Sequence, residues 1–311
     1  MIKILMCSQP GGNRGPGNAY YNHLSAIKNS KYFEIDTITN DHLNNYNLLN
    51  SYDVFWFSVR FHPQLYLLIK QNFPNKKIIM GPNVLFEKPE LGLSDEWEKW
   101  FCNNVNSDFY FNKADFYVNY AKKYFKNSKN YKVLPNCITI DNAQKNNDVK
   151  REKVLVYAKK RRIDNQFDKL FPNFINSLEK EKIKYDVIEY GKYKKEDLLK
   201  IAGNYLACFW FSIEDYCSNA QLEIQSCGTP IIGTPYNTTH VFDKSFLVDG
   251  SNFNNWITWK DNISELYIEK FKEKKHFFQN KENFKKVSNY INKFHSYEYY
   301  VEYLYEVLKN G

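Results

Sequence analysis

Short β-rich apolar runs alternate with longer stretches of helical spacing in two successive series, and this pattern restricts the fold of the chain more than any other feature. The first series places strands at 2–7 (IKILMC), 33–38, 52–58, 77–80, 108–111 and 132–135. Apolar positions at helical spacing fall between them, over 18–29, 63–73, 95–104 and 114–126. Strands that alternate with helices predict a parallel sheet covered on both faces. Residues 138–152 (ITIDNAQKNNDVKRE) carry few large apolar side chains and read as a linker. A second series follows, with strands at 153–158, 184–189, 206–211, 230–233 and 245–248 and helices over 166–181, 195–203 and 218–227.

The predicted class is therefore α/β: two Rossmann-like domains facing each other across a cleft, with a C-terminal helical segment. The expected boundaries are 1–140 for the N-terminal domain and 151–290 for the C-terminal domain. The last segment, 291–311, is expected to pack back on the N-terminal domain. Beyond Asn262, the residues Phe284, Val287, Ile291, Phe294, Val301, Leu304 and Leu308 form one apolar stripe. In open parallel sheets ligands bind at the carboxyl ends of the strands, so a ligand between the domains is expected.

A chain of 311 residues is long enough for two cores. Its longest apolar runs, such as VLVYA and LACFWF, fall far short of the ~20 residues of a membrane-spanning helix. The opening MIKILMCSQPGG has no signal-peptide core, so a cytoplasmic protein is expected. Cys7, Cys102, Cys137, Cys208, Cys217 and Cys227 lack CxxC spacing and fit buried thiols better than disulfides or a zinc site. The formal charge of +8 favours anionic partners, although frequent Asn, Lys, Ile, Tyr and Phe point to a compositional bias that loads lysine onto any surface. Nucleic acid is not an expected partner, because the aromatic residues fall largely at core periodicity.

Three segments carry candidate chemistry. After the first strand, SQPGGNRGPGNAYYNHL is a glycine-rich loop before a helix, suited to a phosphate or polar ligand. It departs from a dinucleotide fingerprint because Gly12, Gly15 and Gly17 are interrupted by Arg14 and Pro16. The second segment, VLVYAKKRRIDN, runs a buried strand into Lys159, Lys160, Arg161 and Arg162. If the pleat continues, Lys159 and Arg161 point the same way. A diphosphate matches them, each charge-assisted hydrogen bond contributing about 1.5 to 3 kcal/mol. A solvated basic turn is the competing reading.

The third segment is WFSIEDYCSNAQLEIQSCGTPIIGTP. A strand ends at Phe211, a loop carries Glu214 and Asp215, and a helix begins near Ser218 and stops at Gly228. Asp215 and Glu223 lie eight residues apart and suit hydroxyl donors of a sugar and a ribose. Ser218, Asn219 and Ala220 offer N–H groups at the helix start, where an anion is favoured. An ordinary N-cap with a surface Glu competes with this reading. Arg60 and His62 follow the third strand and Asn83 the fourth, so all three are candidates to face the cleft.

This third segment resembles the donor-site signature of GT-B glycosyltransferases similar to glycosyltransferase family 4, in which two acidic residues flank seven others ahead of a small-residue turn. Asp215 takes the first acidic place, with Glu214 adjacent, and Glu223 the second. The resemblance extends in order to QPGGN, VLPNCITI and FHSYEYYVEYLYEVL. It implies that Glu223 binds the nucleotide ribose and that Asp215 or Glu214 binds the donor sugar. It further implies that Lys159, Lys160 and Arg161 hold the diphosphate, that Gly12 and Asn13 approach it, and that the base lies near Gly191 and Lys192. Departures are YCS in place of Gly-Phe-Gly, Asn136-Cys137 in place of Asn-Gly, and the compressed KKRR.

The expected activity is transfer of a sugar from a nucleotide-diphosphate donor to a hydroxyl acceptor, with retention of configuration. No metal and no cofactor beyond the co-substrate are expected. The acceptor would be a glycan, a lipid-linked saccharide or another hydroxyl compound, and a basic first domain is compatible with peripheral contact with a membrane. The alternative is a non-catalytic nucleotide- or carbohydrate-binding module of the same fold.

Overall fold

The computed structural model describes residues 1–8, 16–58, 61–82, 96–139, 149–160, 166–212, 218–235, 240–252 and 255–311. They form two compact units, one made of Met1–Thr139 with Tyr297–Gly311 and the other of Ile140–Ser296.

The first unit runs β1 (Ile2–Met6), α1 (Pro16–Lys28), β2 (Phe33–Thr37), α2 (Asn40–Asn44), α3 (Tyr46–Asn50), β3 (Val54–Phe57), α4 (Pro63–Asn72), β4 (Lys77–Met80), α5 (Glu96–Asn104), β5 (Ser107–Asn112), α6 (Asp115–Tyr124) and β6 (Ser128–Val133). Its six strands are parallel in the order β2-β1-β3-β4-β5-β6. Side chains alternate between two cores: Ile4, Met6, Val54 and Trp56 enter one, and Leu5, Cys7, Phe55 and Phe57 enter the other. Burial on both faces explains why the central strands read as unbroken apolar runs.

The second unit continues with β7 (Lys153–Ala158), α7 (Phe167–Lys180), β8 (Tyr185–Glu189), α8 (Lys195–Ala202), β9 (Tyr205–Phe211), α9 (Asn219–Ser226), β10 (Ile231–Ile232), β11 (Ser251–Asn252), β12 (Asn255–Trp259), α10 (Ile263–Glu273), α11 (Lys275–Phe278) and α12 (Lys281–Phe294). A four-stranded parallel sheet has the order β10-β9-β7-β8. Along β7, Val154 and Val156 face one core, while Leu155 and Tyr157 face the other. The order reverses at β7, since β8 lies on one side of it and β9 on the other, and a ligand crevice belongs at such a switch.

The structure corrects three expectations. The last strand of the first sheet begins at Ser128 rather than at 132, because a rim strand has one neighbour and its sequence, SKNYKV, has no apolar run. Residues 245–248 form no strand. Asp243 accepts from the Ser245 N–H at 2.8 Å and starts a single 3-10 turn over Lys244–Phe246, leaving Leu247 with one bridge to Gly233. The helical tail is not one stripe on one core. α12 ends where the His295 N–H donates to Ile291 O at 2.8 Å, and it packs on α9.

A separate helix, α13 (Tyr297–Asn310), packs on α1 and closes the first core with Tyr300, Val301, Leu304 and Leu308. Lys77 at the start of β4 donates to Leu308 O at 2.8 Å, a cation at the negative end of the helix. Tyr303 Oη donates to Val133 O at 2.8 Å, and Tyr297 Oη to Asn22 Oδ1 at 3.3 Å.

Candidate functional site

The carboxyl ends of β8, β7 and β9 lie side by side. The Tyr190 N–H donates to Ala158 O at 2.9 Å and the Lys159 N–H to Phe211 O at 3.0 Å, so the ladder runs one residue past the strands. Lys159 therefore continues the face of Leu155 and Tyr157, and its side chain is only 5% exposed. Its Nζ rests 4.2 Å from the centroid of the Tyr190 ring, a cation over an aromatic face. Beneath it Tyr157 stacks on Trp210 with centroids 4.0 Å apart. Tyr157 Oη and Tyr193 Oη share a hydrogen bond of 2.9 Å. At the end of β9, Ser212 is fully buried, and its Oγ has no hydrogen-bond partner among the described residues.

Glu223 lies on α9, 7% exposed between Leu222 and Ile224. Burying a carboxylate requires a partner. Among the described residues that partner is Lys195, whose Nζ is 3.1 Å from Oε1. Helix α9 starts where Ser218 Oγ accepts from the Ala220 N–H at 3.3 Å, the side-chain cap expected at that position. It stops at Gly228, whose φ of +89° favours glycine and where a Cβ would lie 2.9 Å from Phe284 O. Asn219 is one helical turn before Glu223 and shares its face.

Arg151 fastens the far end of this helix. Its guanidinium donates to Tyr205 O at 2.8 Å, Thr229 Oγ1 at 2.9 Å and Cys227 O at 3.3 Å, and lies 4.1 Å from the Phe284 ring centroid. Burial pulls its pKa down to about 10.

Lys160 is exposed and pairs with Asp168, pointing away from Lys159 because neighbouring residues of an extended chain alternate. Lys192 pairs with Glu189 at 2.6 Å on the surface. Gly191 adopts φ +84° with nothing within 4 Å of a Cβ, so it is open on that side. In the first unit His62 is exposed at the N-cap of α4 and offers its carbonyl to the Tyr66 N–H at 2.9 Å. Gly12, Asn13, Arg60, Asn83, Arg161, Glu214 and Asp215 lie outside the described residues.

Sequence reasoning missed Tyr190, Tyr193 and Lys195. Tyr190 and Tyr193 belong to the connection between β8 and α8 and Lys195 opens α8, and no periodicity marks them; the only hint was a Tyr-Gly pair directly after a strand. It also missed His23, buried on α1 and stacked on Tyr300 at 4.8 Å. At the switch point of the first sheet, Ser58 and Ser8 are both buried, and the Ser58 N–H donates to Ser8 Oγ at 3.0 Å. Cys7, Cys102, Cys137, Cys208 and Cys227 are free and buried. Among the described residues no group of three or more His, Cys, Asp or Glu could hold a metal ion, and no helix is long and apolar enough to cross a membrane.

No family model matches the chain, and no curated protein matches it in sequence. Solved structures do match in shape. Sucrose-phosphate synthase from Thermosynechococcus elongatus aligns with a TM-score of 0.63 at 10% identity, covering 100% of this chain and 99% of its own. Anabaena HepE in complex with UDP-glucose aligns at 0.60 and 10% identity, with both chains fully covered. The catalytic domain of starch synthase IV from Arabidopsis thaliana, bound to ADP and acarbose, aligns at 0.64 and 9% identity, with 99% of each chain covered. At such identities the likeness shows the fold, which is the α/β architecture of GT-B glycosyltransferases with two Rossmann-like units.

Proposed function

We propose that this protein is a glycosyltransferase that moves a sugar from a nucleotide-diphosphate donor to a hydroxyl acceptor, with retention of configuration and without a metal ion. The observation that carries the reading lies in the second unit. A buried cation, Lys159, rests on Tyr190 of the β8–α8 connection, and a buried carboxylate, Glu223, pairs with Lys195 at the start of α8, beside the carboxyl edge of the sheet where strand order reverses. Structural neighbours containing UDP-glucose and ADP support a nucleotide-sugar donor for this fold.

In this reading Lys159, with Arg161, neutralises charge that grows on the departing diphosphate, and Glu223 accepts hydrogen bonds from the ribose. Asp215 or Glu214 engages the sugar, and the N–H groups of Ser218 and Asn219 face the anion, the Ala220 N–H being taken by the Ser218 cap. The base lies against Gly191 and Lys192. In a retaining reaction the leaving diphosphate can itself deprotonate the acceptor, so no histidine base is required and the protein's task is positioning. The acceptor is a glycan, a lipid-linked saccharide or another hydroxyl compound. A cytoplasmic enzyme in peripheral contact with a membrane fits this role.

The test is a screen of UDP-, ADP- and GDP-sugars by thermal shift, followed by turnover of the stabilising donor in wild type and Glu223→Ala. Selective stabilisation with turnover that disappears in the folded variant supports the reading. Binding without any turnover, including slow donor hydrolysis, would instead identify a binding module. Unchanged turnover in Glu223→Ala removes the assignment of that residue.

A further inference from the structure

Lys195 occupies the first position of α8, where the helix dipole disfavours a cation and favours the acids that follow it, Glu196 and Asp197. Its side chain crosses to another helix and ends 3.1 Å from Glu223 Oε1. The same connection places Tyr190 under Lys159 and Tyr193 on Tyr157, so a six-residue segment touches the end of β7 and the middle of α9 at once. The two partners differ in surroundings. The Glu223 side chain is almost fully enclosed, whereas Lys195 is well exposed. An exposed lysine thus reaches inward to a carboxylate that burial would otherwise leave uncompensated.

We infer that Lys195 is a positioning residue that fixes the Glu223 carboxylate against the nucleotide ribose and so sets selectivity for ribonucleotides over deoxyribonucleotides. The inference rests on the reading of Glu223 as the ribose ligand given above. A free Glu side chain samples many rotamers, and a carboxylate that must accept a ribose hydroxyl gains selectivity only if it is already aimed. The ion pair occupies Oε1 and limits the directions in which the other oxygen can point. A site built to bond a hydroxyl rejects the analogue lacking it, because its own polar atom is then left unpaired. Once released from Lys195, the carboxylate can turn away from an absent hydroxyl at little cost. Discrimination then falls while the chemistry of transfer is untouched.

The experiment measures binding of UDP, 2′-deoxy-UDP and 3′-deoxy-UDP, with the ADP and GDP series in parallel, by calorimetry. The proteins are wild type, Lys195→Gln, Lys195→Arg and Glu223→Gln, each checked for a single cooperative thermal transition well above the assay temperature. Wild type is expected to prefer the ribonucleotide over at least one deoxy form by roughly 10-fold or more. Lys195→Gln should lose most of that preference, with weaker ribonucleotide binding and deoxy binding unchanged, and Lys195→Arg should restore it. Kinetics with the matching nucleotide sugar should show a raised KM at nearly constant kcat in Lys195→Gln. If Glu223→Gln abolishes the preference while Lys195→Gln keeps it, the inference is overturned and the reading of Glu223 stands. If wild type binds none of these nucleotides, or binds without preference, the reading of Glu223 and this inference fall together.

Discussion

The imidazole of His23 lies nearly flat against the ring of Tyr300, centroids 4.8 Å apart and planes 20° from parallel. Burial, then the charge of Lys113, pushes the His23 pKa down to about 3. The folded protein therefore keeps this ring neutral where an unfolded chain takes up a proton. Its contribution is complete above the ordinary value near 6.5 and is lost as pH falls toward 3, at up to about 1.4 kcal/mol per pH unit. Urea unfolding at pH 7.5 and 4.5 should show a loss smaller by about 2 kcal/mol in His23→Phe than in wild type. Equal losses would contradict the burial of the ring.

Removing the other half of the stack has a different signature. Tyr300→Ala opens a cavity in the first core and is expected to cost about 3 to 5 kcal/mol at every pH. Chemical unfolding of the variant at neutral pH measures this directly, and a cost below 1 kcal/mol would mean that α13 contributes little to that core.

Arg151 is a partly buried cation with no carboxylate partner among the described residues, satisfied by two carbonyls, one hydroxyl and the face of Phe284. Arg151→Ala should destabilise the second unit by about 3 kcal/mol, because the acceptors at the end of α9 lose their donor. Arg151→Lys should recover less than half, since an ammonium lacks the planar fork that reaches all three. A melting temperature unchanged in either variant would refute the clamp.

Two glycines with similar backbone angles separate strain from contact. Gly191 (φ +84°) faces open space, whereas a Cβ at Gly228 (φ +89°) meets Phe284 O at 2.9 Å and Arg151 Nη2 at 3.1 Å. Gly191→Ala is expected to cost about 1 to 2 kcal/mol from left-handed backbone strain alone. Gly228→Ala should cost more than that by at least ~1 kcal/mol. Equal values in denaturant titrations would show that the turn after α9 yields freely.

Lys159 and Lys160 are adjacent, and only the first faces the candidate donor site. Lys159→Gln is expected to lower kcat by roughly 100-fold if its charge meets the leaving diphosphate. Lys160→Gln, which breaks a surface pair with Asp168, should leave kcat within about 2-fold of wild type. A larger loss in Lys160→Gln would reverse the assignment.

How far the chain could be read follows from the same contrast. Central strands such as Lys77–Met80 and Lys153–Ala158 were legible because burial on both faces makes them continuous apolar runs. The edge strand Ser128–Val133 was not, because one of its sides lacks a neighbouring strand and its composition follows solvent. Glu223 could be found from its spacing within one segment. Lys195 could not, since its contact with Glu223 exists only once α8 and α9 pack together. The run of four cations at 159–162 reads as one cluster in sequence, but the end of the pleat sends Lys159 inward and Lys160 outward.

The division of the first unit into 1–139 and 297–311 fixes an order of events on the ribosome. Residues 140–296 leave the exit tunnel before α13 does, so the second unit can close while the first still lacks the side chains of Tyr300, Val301, Leu304 and Leu308. Until those residues emerge, the sheet that begins the chain presents an uncovered apolar face. A released chain truncated before position 297 would thus carry a finished second half and an adhesive first half, a substrate for chaperones.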